Sequence, residues 1–148
     1  MRRALVVGLA ALALLAGPAR AQEKKDDALA KAVFAPDLVF KYAREIGLKP
    51  SQRQAIVDVI KNVQGDLVGL QLSMAEPAQT LVDLLNQPKV DESAALVQAD
   101  KVLTIERDVK KMQMALLIRI KNALTPEQQA KLRELRDRAA GSDGDTDH

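Results

Sequence analysis

The residues able to do chemistry are few. The single histidine is His148, the last residue, and cysteine is absent. A thiol nucleophile, a Cys-ligated zinc or iron–sulfur site and nearly every His-based mechanism drop out with them. No serine has a histidine base beside it and no Gly-rich phosphate loop follows a strand, so neither a catalytic residue nor a cofactor is assigned. Asp143, Asp145, Asp147 and His148 alternate like calcium ligands. The bidentate glutamate that completes such a loop is missing, and a solvated acidic tail accounts for them better. Met112 and Met114 offer thioethers of the kind Cu(I) prefers, with Met74 as a third. Residues two apart on a helix point to different faces, so the pair does not chelate alone and no metal site is assigned. The adjacent acids Asp91 and Glu92 read as favourable charge at a helix start.

Helices must carry these side chains. Of 148 residues 47% are apolar and 28% charged, enough for one domain with a core, and only 2% are aromatic, too few for a β-sandwich. Ile56, Ile60, Val63, Leu67, Leu70, Met74, Ala78, Leu81 and Leu85 recur at steps of three and four, the pattern of a helix–helix seam. Unbroken from residue 51 to 86, that helix is about 54 Å long. Gly65 and Gly69 each cost it about 1 kcal/mol relative to Ala, in a GxxxG spacing that permits close backbone packing, and Pro77 is expected to kink it near Ser73. Asn86-Gln87-Pro88-Lys89 reads as a turn and Asp91 as the next N-cap. The second seam is Ala95, Ala99, Val102, Glu106, Val109, Met112, Leu116, Ile120 and Ala123, in which Glu106 must reach solvent or a basic partner.

Leu103, Ile105, Met114, Leu117 and Ile118 lie off the second seam, so that helix is apolar on more than one face. Pro36 opens a short helix using Leu38, Val39, Ala43 and Ile46, closed by Gly47, and the clustered aromatics Phe34, Phe40 and Tyr42 pin it to the body. A last helix runs from Pro126 to about Ala139 with Ala130, Leu132 and Leu135 inward. The expected fold is all-α: a long antiparallel helical hairpin with short flanking helices, four helices in total. A lone hairpin cannot cover so many apolar faces, and homodimerisation is the expected remedy.

The N-terminal stretch reads as a secretory signal. Arg2 and Arg3 precede an apolar run from Ala4 to Ala16, Gly17-Pro18 breaks it, and Ala19-Arg20-Ala21 is a small-residue cleavage site. The run is too short to span a membrane. The expected organisation is a signal over 1–21, a polar flexible leader over 22–34, one helical domain over 35–140 and a disordered acidic tail over 141–148. The whole chain carries 22 basic and 20 acidic residues, but Arg2, Arg3 and Arg20 leave with the signal, so 19 basic residues face 20 acidic ones. No strong basic field remains, and no nucleic-acid partner is expected.

Leu124-Thr125-Pro126-Glu127-Gln128 is a capping box: Thr125 caps, Pro126 presets the first turn and Gln128 reaches back to the cap. Leu48-Lys49-Pro50-Ser51-Gln52 repeats it 76 residues earlier, with Lys49 in place of the capping Thr, and Ser51 with Gln54 offers a second box two positions on. Paired boxes, one before each arm of a helical hairpin in a small exported chain without cysteine, resemble the LTxxQ-motif periplasmic family of Spy/CpxP-like chaperones and related periplasmic heavy-metal sensors. The resemblance covers about residues 36–138, and its matching positions are Leu48, Pro50, Gln52, Leu124, Thr125, Pro126 and Gln128.

The resemblance implies a periplasmic, cradle-like homodimer that holds unfolded or partly folded envelope proteins without ATP, or modulates envelope stress. Its alternative implication is a periplasmic heavy-metal sensor or resistance protein, or a regulator of a membrane sensor kinase. The sensing branch carries histidines within its helices, and this chain has none there. In the chaperone reading Met74, Met112, Met114 and Leu116 are the candidate client-binding patch, because Met and Leu adapt to varied apolar segments; core packing is the competing role for the same residues.

Overall fold

A computed structural model describes residues 19–142, with side chains described from Lys24. The expected acidic tail beyond Ser142, and the expected signal apart from the backbone of residues 19–21, lie outside these residues. The chain divides into two compact units, residues 1–32 and 33–148. The first contributes one helix, α1 (Ala19–Ala32), whose side chains from Lys24 onward are all exposed. This helix, over the expected flexible leader, brings the count among the described residues to five where four were expected, and it has a clear local cause. Its sequence is rich in Ala and Lys, strong helix formers without Gly or Pro. Exposed all round, it needs no apolar stripe, so periodicity carries no sign of it.

The second unit is built from α2 (Pro36–Lys41), α3 (Pro50–Leu85), α4 (Glu92–Asn122) and α5 (Pro126–Ser142). Among the described residues the protein is all-helical, without strands. Pro at the first position sets the starts of α2, α3 and α5. Asp91 caps α4, its carboxylate accepting from the Ala94 N–H at 3.0 Å. The turn over 42–47 ends at Gly47, whose φ of +64° is open to glycine at little cost. At 36 residues α3 is about 54 Å long. It continues as one helix through Pro77, which is buried, and the Ser73 hydroxyl one turn earlier donates to the Gly69 carbonyl at 3.0 Å.

Residues 86–91 join α3 to α4, and the two helices pack along each other. Val63 shares a groove with Met112 and Ala115, whereas Pro77 shares one with Lys101 and Ile105, so the helices run antiparallel. The core lies at the end away from the turn. Phe34, Val39, Ile46, Ile56, Ile120, Leu124 and Leu132 form one buried cluster, with Phe40, Tyr42, Ile60 and Leu135 packed on it. All three aromatics thus pin the base, as their spacing led us to expect. Arg136 lies over the Phe34 ring and Arg53 over Phe40. Ala130 is exposed, however, so α5 presents Leu132 and Leu135 alone.

Beyond this base the arm is a single layer of two helices. Of its side chains only Val63, Pro77 and Ala95 are buried among the described residues. Two helices touch along one line and leave most of each circumference to solvent. Leu72 is 73% exposed, Leu103 61% and Leu96 60%.

Candidate functional site

The two sequence boxes meet in space and interlock. Gln52 and Gln128 each occupy the third position of their helix, α3 and α5. Each side-chain oxygen accepts the backbone N–H of its own cap residue, Lys49 at 2.9 Å and Thr125 at 2.9 Å. The side chains then pair with each other. Gln52 Nε2 donates to Gln128 Oε1 at 2.7 Å, and Gln128 Nε2 returns a bond to Gln52 Oε1 at 2.9 Å. Each Nε2 has a second target, the carbonyl just before the opposite box: Ala123 for Gln52 at 2.9 Å and Gly47 for Gln128 at 3.2 Å. Two acceptances and two donations per amide use its full capacity. The repeated box is therefore a near-symmetric clasp that ties the start of α3 to the start of α5.

The halves differ at the cap. Thr125 Oγ1 accepts the Gln128 N–H at 3.2 Å, completing a reciprocal capping box. Lys49 has no side-chain acceptor, so on α3 only the return bond from its N–H to Gln52 forms. The alternative box of Ser51 with Gln54 is not used, because α3 already begins at Pro50 and Gln54 Nε2 bonds Asp58 at 2.8 Å. Leu124 is buried in the core and Leu48 packs against it, so the motif leucines anchor the clasp from below.

Sequence reasoning overlooked two supporting residues. Gln129 Nε2 donates to the carbonyls of Lys121 at 3.0 Å and Leu124 at 3.2 Å, closing the end of α4. Arg136 donates to the Val33 carbonyl at 3.4 Å while covering Phe34. The short link over 123–125 was the available signal for Gln129, because it sets the first turn of α5 beside the last carbonyls of α4.

The candidate client residues do not form one patch. Met74 lines a groove with Glu106, Val109, Lys110 and Gln113. Met112 lines another with Val63, Asp66, Asp108, Lys111, Ala115 and Arg119. On α4 the two sets are offset by about two residues, or about 200°, and so occupy opposite sides of the arm. Leu116 packs on the base core, and Met114 is half-buried. A seam pattern shows which residues face a neighbour but not which of two neighbours, and at the base α4 has several.

The two sides differ in character. The Met112 side continues toward the turn through Ser73, Glu76, Thr80, Gln98, Lys101 and Thr104, which is predominantly polar. On the Met74 side, Leu96, Leu103 and Lys110 recur every seven residues along α4, and Val68, Ala75 and Val82 do so along α3. Glu106, which interrupts the seam, is exposed on this side. Among the described residues no three of His, Cys, Asp and Glu are grouped to hold a metal ion. The chain matches no family model, no curated protein and no solved structure.

Proposed function

We propose that this protein is an exported, ATP-independent holdase that shields apolar segments of unfolding proteins in the periplasm. The observation that carries the reading is the unpartnered apolar side of the arm, where Val68, Val82, Leu96 and Leu103 are each at least half exposed. Monomeric soluble proteins rarely present so extended an apolar face without using it. Its groove contains Met74, a flexible and polarisable side chain suited to varied partners. The paired boxes and the signal-like N-terminus support the same assignment through their resemblance to the LTxxQ-motif proteins. The clasp has a mechanical part in this reading: it fixes the base, so that the arm is presented as a firm edge and client binding does not compete with unfolding of the protein itself.

The test is light scattering from an aggregating client with the purified protein and no nucleotide. Suppression at a stoichiometric amount is expected. Undiminished aggregation at severalfold excess would sink the proposal. A Leu96→Gln/Leu103→Gln double variant should lose most of the suppression while retaining its helical circular dichroism.

A further inference from the structure

The polar side of the arm, opposite Met74, holds an open groove of about 650 Å³ between α3 and α4. That is ample room for a small organic molecule. Pro77, which is buried, and Ile105, half-buried, give the groove an apolar floor. The polar groups around this floor have bonding capacity to spare. Lys101, Glu76 and Asp100 all line the groove, yet none of the three joins an ion pair among the described residues. Ser73 and Thr80 turn their hydroxyls back to the Gly69 and Glu76 carbonyls, at 3.0 and 2.9 Å. Thr104 and Gln98, half-buried on the facing wall, make no side-chain hydrogen bond among the described residues. Pro77 also lacks an N–H for the Ser73 carbonyl one turn back, which leaves that acceptor without its α-helical donor between two lining residues. The charges narrow the choice of ligand. A simple cation would meet Lys101, and a simple anion would meet two carboxylates. A molecule carrying both signs satisfies all three groups.

We propose that this groove binds a small zwitterion with a primary ammonium and a carboxylate, as in a free amino acid or a short peptide. The ligand carboxylate takes the Lys101 ammonium and the Thr104 hydroxyl. The ligand ammonium takes the Glu76 and Asp100 carboxylates and the spare Ser73 carbonyl, and an apolar side chain rests on Pro77 and Ile105. Hydrogen bonds between charged partners are roughly twice as strong as neutral ones, so both ends of the ligand contribute. A molecule seated there touches α3 and α4 together, in the stretch of the arm that buries few side chains of its own. Binding therefore braces the two helices against opening. The site faces away from the apolar side and does not rest on the holdase reading.

Isothermal titration of the purified protein with L-leucine and with leucyl-leucine, each also N-acetylated and each also as its amide, tests the proposal. At least one zwitterion should bind with a Kd at or below about 1 mM, and the tighter of the two names the source. Its N-acetyl and amide forms, which keep one charge each, should bind at least about tenfold more weakly. Lys101→Met should abolish the preference for the zwitterion over its amide. Glu76→Gln/Asp100→Asn should abolish the preference over its N-acetyl form. All three residues are exposed, so folding is spared, and circular dichroism checks this. Saturating ligand should also slow amide exchange severalfold over residues 73–80 and 98–105. No binding of either zwitterion overturns the proposal, as do blocked forms that bind equally well. Variants that weaken every form alike overturn the assigned contacts, and unchanged exchange in those two stretches overturns the location.

Discussion

Gln52 and Gln128 illustrate how a modest polar contact becomes decisive when it is closed on all sides. A single neutral hydrogen bond contributes about 1 kcal/mol net, but removing one member of a buried pair also strands its partner. Gln128 is buried and Gln52 half-buried. Gln128→Ala should therefore destabilise the protein by about 2–3 kcal/mol and Gln52→Ala by somewhat less, with the double variant well short of their sum, as read from urea denaturation. At the other half-site the missing acceptor is an opportunity. Lys49 already has the extended backbone of a cap, so Lys49→Thr should add about 0.5–1 kcal/mol by accepting the Gln52 N–H. Each box was legible in the sequence as a helix start, because capping is a local matter of four residues. Their meeting was not, since it joins amides 76 positions apart and depends on how the chain folds back.

Among the elements, those with punctuated ends were the readable ones. Pro36, Pro50, Asp91 and Pro126 mark starts that the structure keeps, since a fixed φ or a side-chain acceptor acts wherever the chain goes. α1 lacked such marks and any apolar stripe, and was missed. Pro77 sits inside α3, which the chain continues as one helical element on either side of it, and the GxxxG spacing of α3 is not used for packing. A β-carbon at Gly65 or Gly69 meets nothing within 4 Å, so neither glycine serves a close approach. Gly65→Ala and Gly69→Ala should each stabilise α3 by about 0.5–1 kcal/mol, visible as a higher thermal midpoint, with no change in the oligomeric state. Gly47→Ala should act in the opposite sense, because its positive φ strains any side chain.

At the largest scale, the second unit has its buried side chains concentrated at one end. Ile56, Ile120 and Leu132 are fully buried in the base cluster, while the arm toward residues 86–91 holds few buried side chains. Amide hydrogen exchange in the isolated chain should grade accordingly, with residues 78–98 exchanging at least about tenfold faster than residues 56–63 and 116–124. Quenching of that gradient on dimer formation or client addition would map where the arm is covered. The clasp lends this arrangement one more property. Its two halves hold each other through amides, which neither gain nor lose protons between mild acid and mild base. The stability difference between the parent protein and Gln128→Ala should therefore stay constant from about pH 4 to about pH 9. A junction fastened by carboxylates would loosen with acidification, whereas an acid bath leaves this one shut.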